Sequence, residues 1–198
     1  MAITTYTELQ TAVGNWAARA DLTSRIPEFI TLAEAKFNRE LRTREMEVRD
    51  PAFPLVGEYT PAPALFLELR SMFLNNASRT PITFLPDDLH ANTTSDPYYV
   101  SINGGEFRFS PIPSAGSTAT ISYYSKIPPL SATVTTNWLL AKHPDLYLYG
   151  ALLEAAAFLQ DDPRISTWLQ GYKMAMDSVR GSDRKSRWGA NGMAVRAV

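Results

Sequence analysis

The chain has 198 residues, with 19 lysines and arginines against 20 aspartates and glutamates, two histidines and no cysteine. That length suits one domain able to bury a substantial core. A formal charge of −1 gives no support for the broad basic footprint of a duplex-DNA binder, and the absence of cysteine excludes disulfides, thiolate nucleophiles and Cys-ligated zinc.

The first residues, MAITTYTELQ, lack a basic segment followed by an apolar run. No uninterrupted apolar stretch approaches the roughly 18 residues that a spanning helix needs, so the sequence predicts a soluble chain with no signal peptide and no membrane partner. Residues 5–42 read as helical. Thr5 with Glu8 is a capping-box pattern, and Leu9, Val13, Trp16, Ala17 and Ala20 recur on one helix face. After a break, Ser24 is a candidate cap for a second helix with Pro27 in its first turn. Phe29, Ile30, Ala33, Phe37 and Leu41 form its apolar stripe, and Glu34, Lys36, Arg39, Glu40 and Arg42 its charged face.

Residues 46–130 change character. Eleven of the fourteen prolines fall between Pro51 and Pro129, among short β-branched and aromatic runs. Asn103-Gly104-Gly105 predicts a hairpin turn, residues 117–127 a third strand, and residues 65–74 and 81–85 two further candidates; the sum is a small antiparallel sheet. Helix returns near Trp138. Pro144 and Asp145 suit the first turn of a helix running to about Gln160. Asp162-Pro163 then opens a last helix whose Ile165, Trp168, Leu169, Tyr172, Ala175, Met176 and Val179 share one face. Beyond Gly181, seventeen residues with four basic groups, one acid and two glycines read as an extended tail.

The expected fold is therefore α+β. Helices at 5–42 and 138–181 form a bundle, residues 46–130 form a β-rich insertion, and residues 182–198 form the tail. The predicted bundle core includes Trp16, Phe29, Phe37, Leu152, Leu153, Trp168, Leu169 and Tyr172.

Sites for chemistry are scarce. No glycine-rich phosphate loop, HExxH zinc motif or GxSxG elbow occurs, and His90 and His143 belong to no paired-ligand pattern. Asp87, Asp88, His90 and Asp96 read as a solvated turn rather than a metal site. Glu154 interrupts an apolar helix, yet Tyr147, Glu154 and Asp161 stand seven apart and read as a polar stripe facing solvent or a subunit neighbour. The sequence thus predicts no catalytic residues, no metal and no cofactor. A candidate partner-binding set remains at the C-terminal end: Arg180, Arg184, Lys185, Arg187, Trp188 and Arg196, since Trp and Arg are common interface anchors.

The order of parts, from YTELQTAVGNWAARADLTSRIPEFITLAEAKFNREL to HPDLYLYGALLEAAAFLQDDPRISTWLQGYKMAMDSV, resembles the adaptor proteins of the tailed-bacteriophage head–tail connector. The likeness lies in YTEL, RIPEFI-x-LAE and FNRELR at the start. Towards the end it lies in PDLYLYGALLEAA-x-FL, DDPR and the following Trp and Tyr. The resemblance implies a single adaptor domain with no enzymatic activity. It further implies a virion protein made in the bacterial host cytoplasm and a ring of about twelve copies bound beneath the portal protein. Tail nozzle or tube proteins would lie on the other side, and DNA would pass through the lumen. Another tail-completion or stopper protein remains open, as does a metal-dependent hydrolase or nuclease using Glu154 with Asp161 or the Asp87–Asp88 pair.

Overall fold

The structure, a computed structural model, describes residues 2–87, 98–159 and 163–188. It divides into a helical unit, residues 1–45 and 127–198, and a sheet unit, residues 46–126.

In the helical unit, α1 spans Tyr6–Ala17, α2 Ile26–Glu40, α3 Trp138–Lys142, α4 Pro144–Leu159 and α5 Ile165–Trp188. The Thr5–Glu8 capping box forms as the spacing predicts: Thr5 Oγ1 accepts the Glu8 N–H, and the Glu8 carboxylate accepts the Thr4 and Thr5 N–H groups. The Thr4 N–H, the Thr4 hydroxyl and the Thr5 N–H, all donating to it, pull the Glu8 carboxyl down to about 2. Helix α2 begins after Arg25 without a side-chain cap, with Pro27 in its first turn, so Ser24 is not the cap. Helix α4 packs against α1, α2, α3 and α5, which is why its sequence is apolar nearly all round. Gly150 lets α2 come close, since a Cβ there would lie 2.8 Å from the Phe37 ring.

One polar network runs through this core. Asn137 caps α3 by accepting the Leu140 N–H, and its amide group donates to Pro128 O and to Tyr147 Oη. Tyr147 in turn donates to Glu34 Oε1 at 3.0 Å, and the same oxygen accepts the Leu130 N–H at 2.8 Å. One turn along α2, Asn38 Oδ1 accepts the Ile127 N–H. Pro128 and Pro129 have no N–H, so these two acceptors meet every backbone donor from Ile127 to Leu130.

Glu34 and Tyr147 are both buried. The charged-face assignment of Glu34 and the polar-stripe assignment of Tyr147 are therefore corrected: each is a core group held by hydrogen bonds. Of the predicted core, Phe29, Phe37, Leu152, Trp168 and Tyr172 are buried and Leu153 is half-buried, whereas Trp16 and Leu169 are exposed. Both lie at the rim of an apolar stripe, where spacing alone does not separate inside from outside.

The sheet unit holds β1 (Glu47–Pro54), β2 (Tyr59–Pro61), β3 (Phe66–Leu74), β4 (Pro81–Phe84), β5 (Tyr98–Asn103), β6 (Glu106–Ser110) and β7 (Thr118–Ser125) in the order β1-β7-β3-β4-β5-β6-β2. This corrects the expected small antiparallel sheet on a helical bundle. The α+β class stands, but the sheet has seven strands, and β4 pairs with β5 in parallel. It also curls, because Phe53 of β1 meets Phe107 of β6 edge to face at 5.9 Å although four strands separate β1 from β6 in the order.

A register shift at Asp50/Phe53 releases Pro51 O from the ladder, and the Asn75 amide and Thr120 hydroxyl donate to it instead. The predicted 103–105 turn joins β5 to β6. The extended tail is also corrected in part: residues 182–188 continue α5 to Trp188, while residues 189–198 lie outside the described residues.

Tyr147→Phe leaves Glu34 and Asn137 each short of one buried partner. It is expected to cost about 1–3 kcal/mol, read as a fall of roughly 2–4 °C in Tm per kcal/mol for a chain of this size.

Burial raises the Glu34 pKa above its ordinary value, against the opposing pull of its two donors. A folded-state pKa raised above the unfolded one favours folding at low pH, and that advantage is lost as pH rises through the folded pKa. Urea titrations of wild type and Glu34→Gln, run from below pH 4.5 upward, should therefore show the variant gaining relative stability as pH rises.

Candidate docking surface

Of the partner-binding candidates that the sequence places at the C-terminal end, Arg180, Arg184, Lys185, Arg187 and Trp188 fall within α5. One face packs inward through Trp168, Tyr172, Ala175, Met176 and Val179. Gly171 leaves room for Tyr149, whose ring a Cβ there would meet at 2.8 Å. Tyr172 lies parallel to Phe37 at 6.4 Å. Its hydroxyl, 3.5 Å from Glu40 Oε2, is pushed up to about 12, first by burial and then by the Glu40 charge.

The outward side meets the C-terminal end of α2. Arg42 Nη1 donates to Asn38 O and Leu41 O, and Arg180 Nη2 donates to Glu40 O at 3.2 Å. Two guanidinium groups thus satisfy carbonyls at the negative end of α2. Arg180 also stands 3.8 Å from the Glu40 carboxylate, a half-exposed pair worth about 0–1 kcal/mol. Asp183 Oδ1 accepts the Arg44 N–H at 2.7 Å, fastening α5 to the segment after α2. Arg42, Thr43, Arg180, Asp183 and Arg184 line an open hollow of about 300 Å³. The buried Thr43 hydroxyl beside it has no hydrogen-bond partner among the described residues.

The six candidates therefore separate. Arg180 is a helix-capping group tied to α2. Arg184 and Lys185 are exposed on the last turns of α5. Arg187 and Trp188 end that helix, but their side chains, and the whole of Arg196, lie outside the described residues. Arg42, Thr43 and Asp183 belong to the same surface although the sequence did not single them out as binding residues. Their signal was weak, since an arginine just past a helix end is a common feature and Thr43 shows its buried hydroxyl only in three dimensions.

Of the other candidates for chemistry, Glu154 and Asp87 are held in ordinary structural pairings. Glu154 pairs with Lys36 at 2.5 Å, both side chains partly exposed, and Asp161 lies outside the described residues. Asp87 accepts from Arg108 at 2.7 Å and from Ser101. The guanidinium holds its carboxyl below the usual carboxylate range. Asp88, His90 and Asp96 lie outside the described residues. His143 ends α3. Among the described residues no group of three or more His, Cys, Asp or Glu side chains is placed to hold a metal ion, and no helix is long and apolar enough to cross a membrane.

A family model described as "SU10 adaptor protein" matches residues 4–196. No curated protein gives a significant match.

The Asp183 contact makes the end of α5 more than an appendage. Cutting the chain after Ser182 should cost about 1 kcal/mol through the lost acceptor for Arg44, whereas Arg184→Glu with Lys185→Glu should leave Tm within a degree or two. Calorimetry of the two variants separates anchoring from surface charge.

Proposed function

The chain belongs to the SU10 adaptor protein family, and from that premise we propose that it forms a ring beneath the portal of a tailed bacteriophage and links the portal to tail components. Membership makes it a phage adaptor and a virion component that associates with other virion components. The finer reading is that several copies close head to tail, about twelve by likeness to the family, with DNA passing through the lumen. The chain acts as scaffold, with no catalytic role.

The observation that carries the docking part is the end of α5. Its buried face and the Asp183–Arg44 contact fix the helix, while Arg184 and Lys185 face solvent. Arg187 and Trp188 follow in the sequence, so two exposed cations and a further Arg–Trp pair occupy one helix end. An acidic rim with an apolar pocket is the complementary partner surface. Charge on the rim steers encounter and fixes register, and an aromatic anchor supplies much of the binding energy. The near-neutral chain as a whole argues against tight duplex binding, so DNA is cargo in this reading rather than a ligand.

The test is attachment to portal-bearing heads in a pull-down. Arg184→Glu with Lys185→Glu, and separately Trp188→Ala, should each reduce attachment at least about tenfold, which is about 1.4 kcal/mol, with the body still folded. Wild-type attachment by both variants would remove the α5 end from the portal contact.

A further inference from the structure

The sheet unit carries an opening that the ladder pattern itself creates. Strand β3 pairs with β7 from Phe66 to Leu74, but with β4 only at Met72 and Phe73. Two register shifts in the β3–β7 ladder, at Phe66/Glu68 and Leu69/Ser71, put extra residues on β3. Bulges of this kind bend the strand that carries them and increase its twist. Over Phe66–Ser71 no strand among the described residues covers that edge.

The result is a hollow of about 380 Å³. Every residue from Phe66 to Met72 lines it. Alternate strand residues point to opposite faces, so a hollow touched by seven in succession runs along the strand edge rather than over one face. Its apolar lining includes Phe66, Leu67, Leu69, Met72, Ile82 and Phe84, and Phe84 is 56% exposed. An open edge is ordinarily guarded by charge, and Glu68 and Arg70 are the charged residues on this stretch. Here the Arg70 guanidinium is drawn off toward β1 and β7, pairing with Glu47 at 2.5 Å and lying over the Tyr124 ring. The opening therefore combines a backbone edge with apolar pockets, the two elements by which an extended peptide adds to a sheet.

The sequence contains a segment that fits it. After Gly189-Ala190-Asn191-Gly192 comes Met193-Ala194-Val195-Arg196-Ala197-Val198, with Met193, Val195 and Ala197 on one side in strand spacing and no proline or acid. Six residues in extended form reach roughly 20 Å, the span of the open edge from Phe66 to Ser71. Arg196 is the one charged side chain in the segment.

We propose that residues 193–198 of a neighbouring copy add as a strand to the open edge of β3 over Phe66–Ser71. The proposal leans on the ring reading only for the presence of a neighbour. Binding of the segment to a single copy tests it whether or not rings form on a portal.

The test uses the full chain carrying Val195→Pro, which removes a backbone donor from the segment and blocks its pairing. Amide hydrogen exchange is followed within Phe66–Ser71. A synthetic peptide of residues 192–198 at saturating concentration should slow exchange there by ~10-fold or more, and the same peptide with the proline should not. Excess wild-type chain added to isotope-labelled variant should reproduce the slowing in the labelled copy. The proposal is overturned by unchanged exchange, by equal slowing with the proline peptide, or by slowing with the peptide but not with the chain. An edge already protected in the variant alone would also overturn it and would assign the edge to residues 88–97 of the same chain. Attachment to portal-bearing heads that survives Val195→Pro would leave the portal reading intact while the strand exchange is judged on exchange rates alone.

Discussion

Two adjacent prolines set the constraint on which the helical unit depends. Where the chain re-enters that unit, Pro128 and Pro129 cannot donate, so the backbone offers only the Ile127 and Leu130 N–H groups at a buried position. Asn38 and Glu34, one turn apart on α2, accept both. Burying a carboxylate is costly unless it is well supplied with donors, and Glu34 has two, the Leu130 amide and the Tyr147 hydroxyl. Tyr147 is itself fixed by Asn137, which also caps α3 and holds Pro128 O. One connected set of side chains therefore fixes α2, α3, α4 and the segment between Ile127 and Asn137.

That arrangement carries through to the surface. With α2 fixed, its C-terminal carbonyls present a negative end to which Arg42 and Arg180 donate, and the Arg44 amide reaches Asp183. Helix α5 is thus held at Trp168 to Val179 by apolar packing and again at Asp183 by a hydrogen bond. Its last turns extend the basic residues Arg184 and Lys185 from a supported base. Side chains at the end of a supported helix lose less freedom on binding than the same residues on a loose chain.

Much of the helical unit was legible in the sequence because apolar spacing reports a helix face directly. The buried face of α5 from Trp168 to Val179 follows from it, while the capping box at Thr5 and the start of α4 at Pro144 follow from polar and proline signals at helix starts. The rim of a face is not so reported, which is why Trp16 and Leu169 read as core and are exposed. Glu34 read as solvated because charge is the usual mark of an outer face, and only Leu130, 96 residues away, and Tyr147 reveal its role.

The sheet was less legible. Strand β1 contains two prolines and three charged residues, β2 has three residues, and the parallel β4–β5 pair needs a long connection instead of a tight turn. Gly181 read as a helix stop, but a glycine can sit within a helix at a modest propensity cost, and Ser182 to Trp188 continue it. The cations near the end of the chain, by contrast, were recognisable in the sequence as a group, though not Arg180's commitment to α2.

In the proposed function, this chain completes a connector by docking on a portal and closing a ring through its own copies. Electron microscopy of portal-bearing heads incubated with the purified chain tests it most directly. The expected image is a closed ring of this chain coaxial with the portal, with the end of α5 at the contact. Heads whose portals stay bare, or a bound chain that forms no ring there, would contradict it.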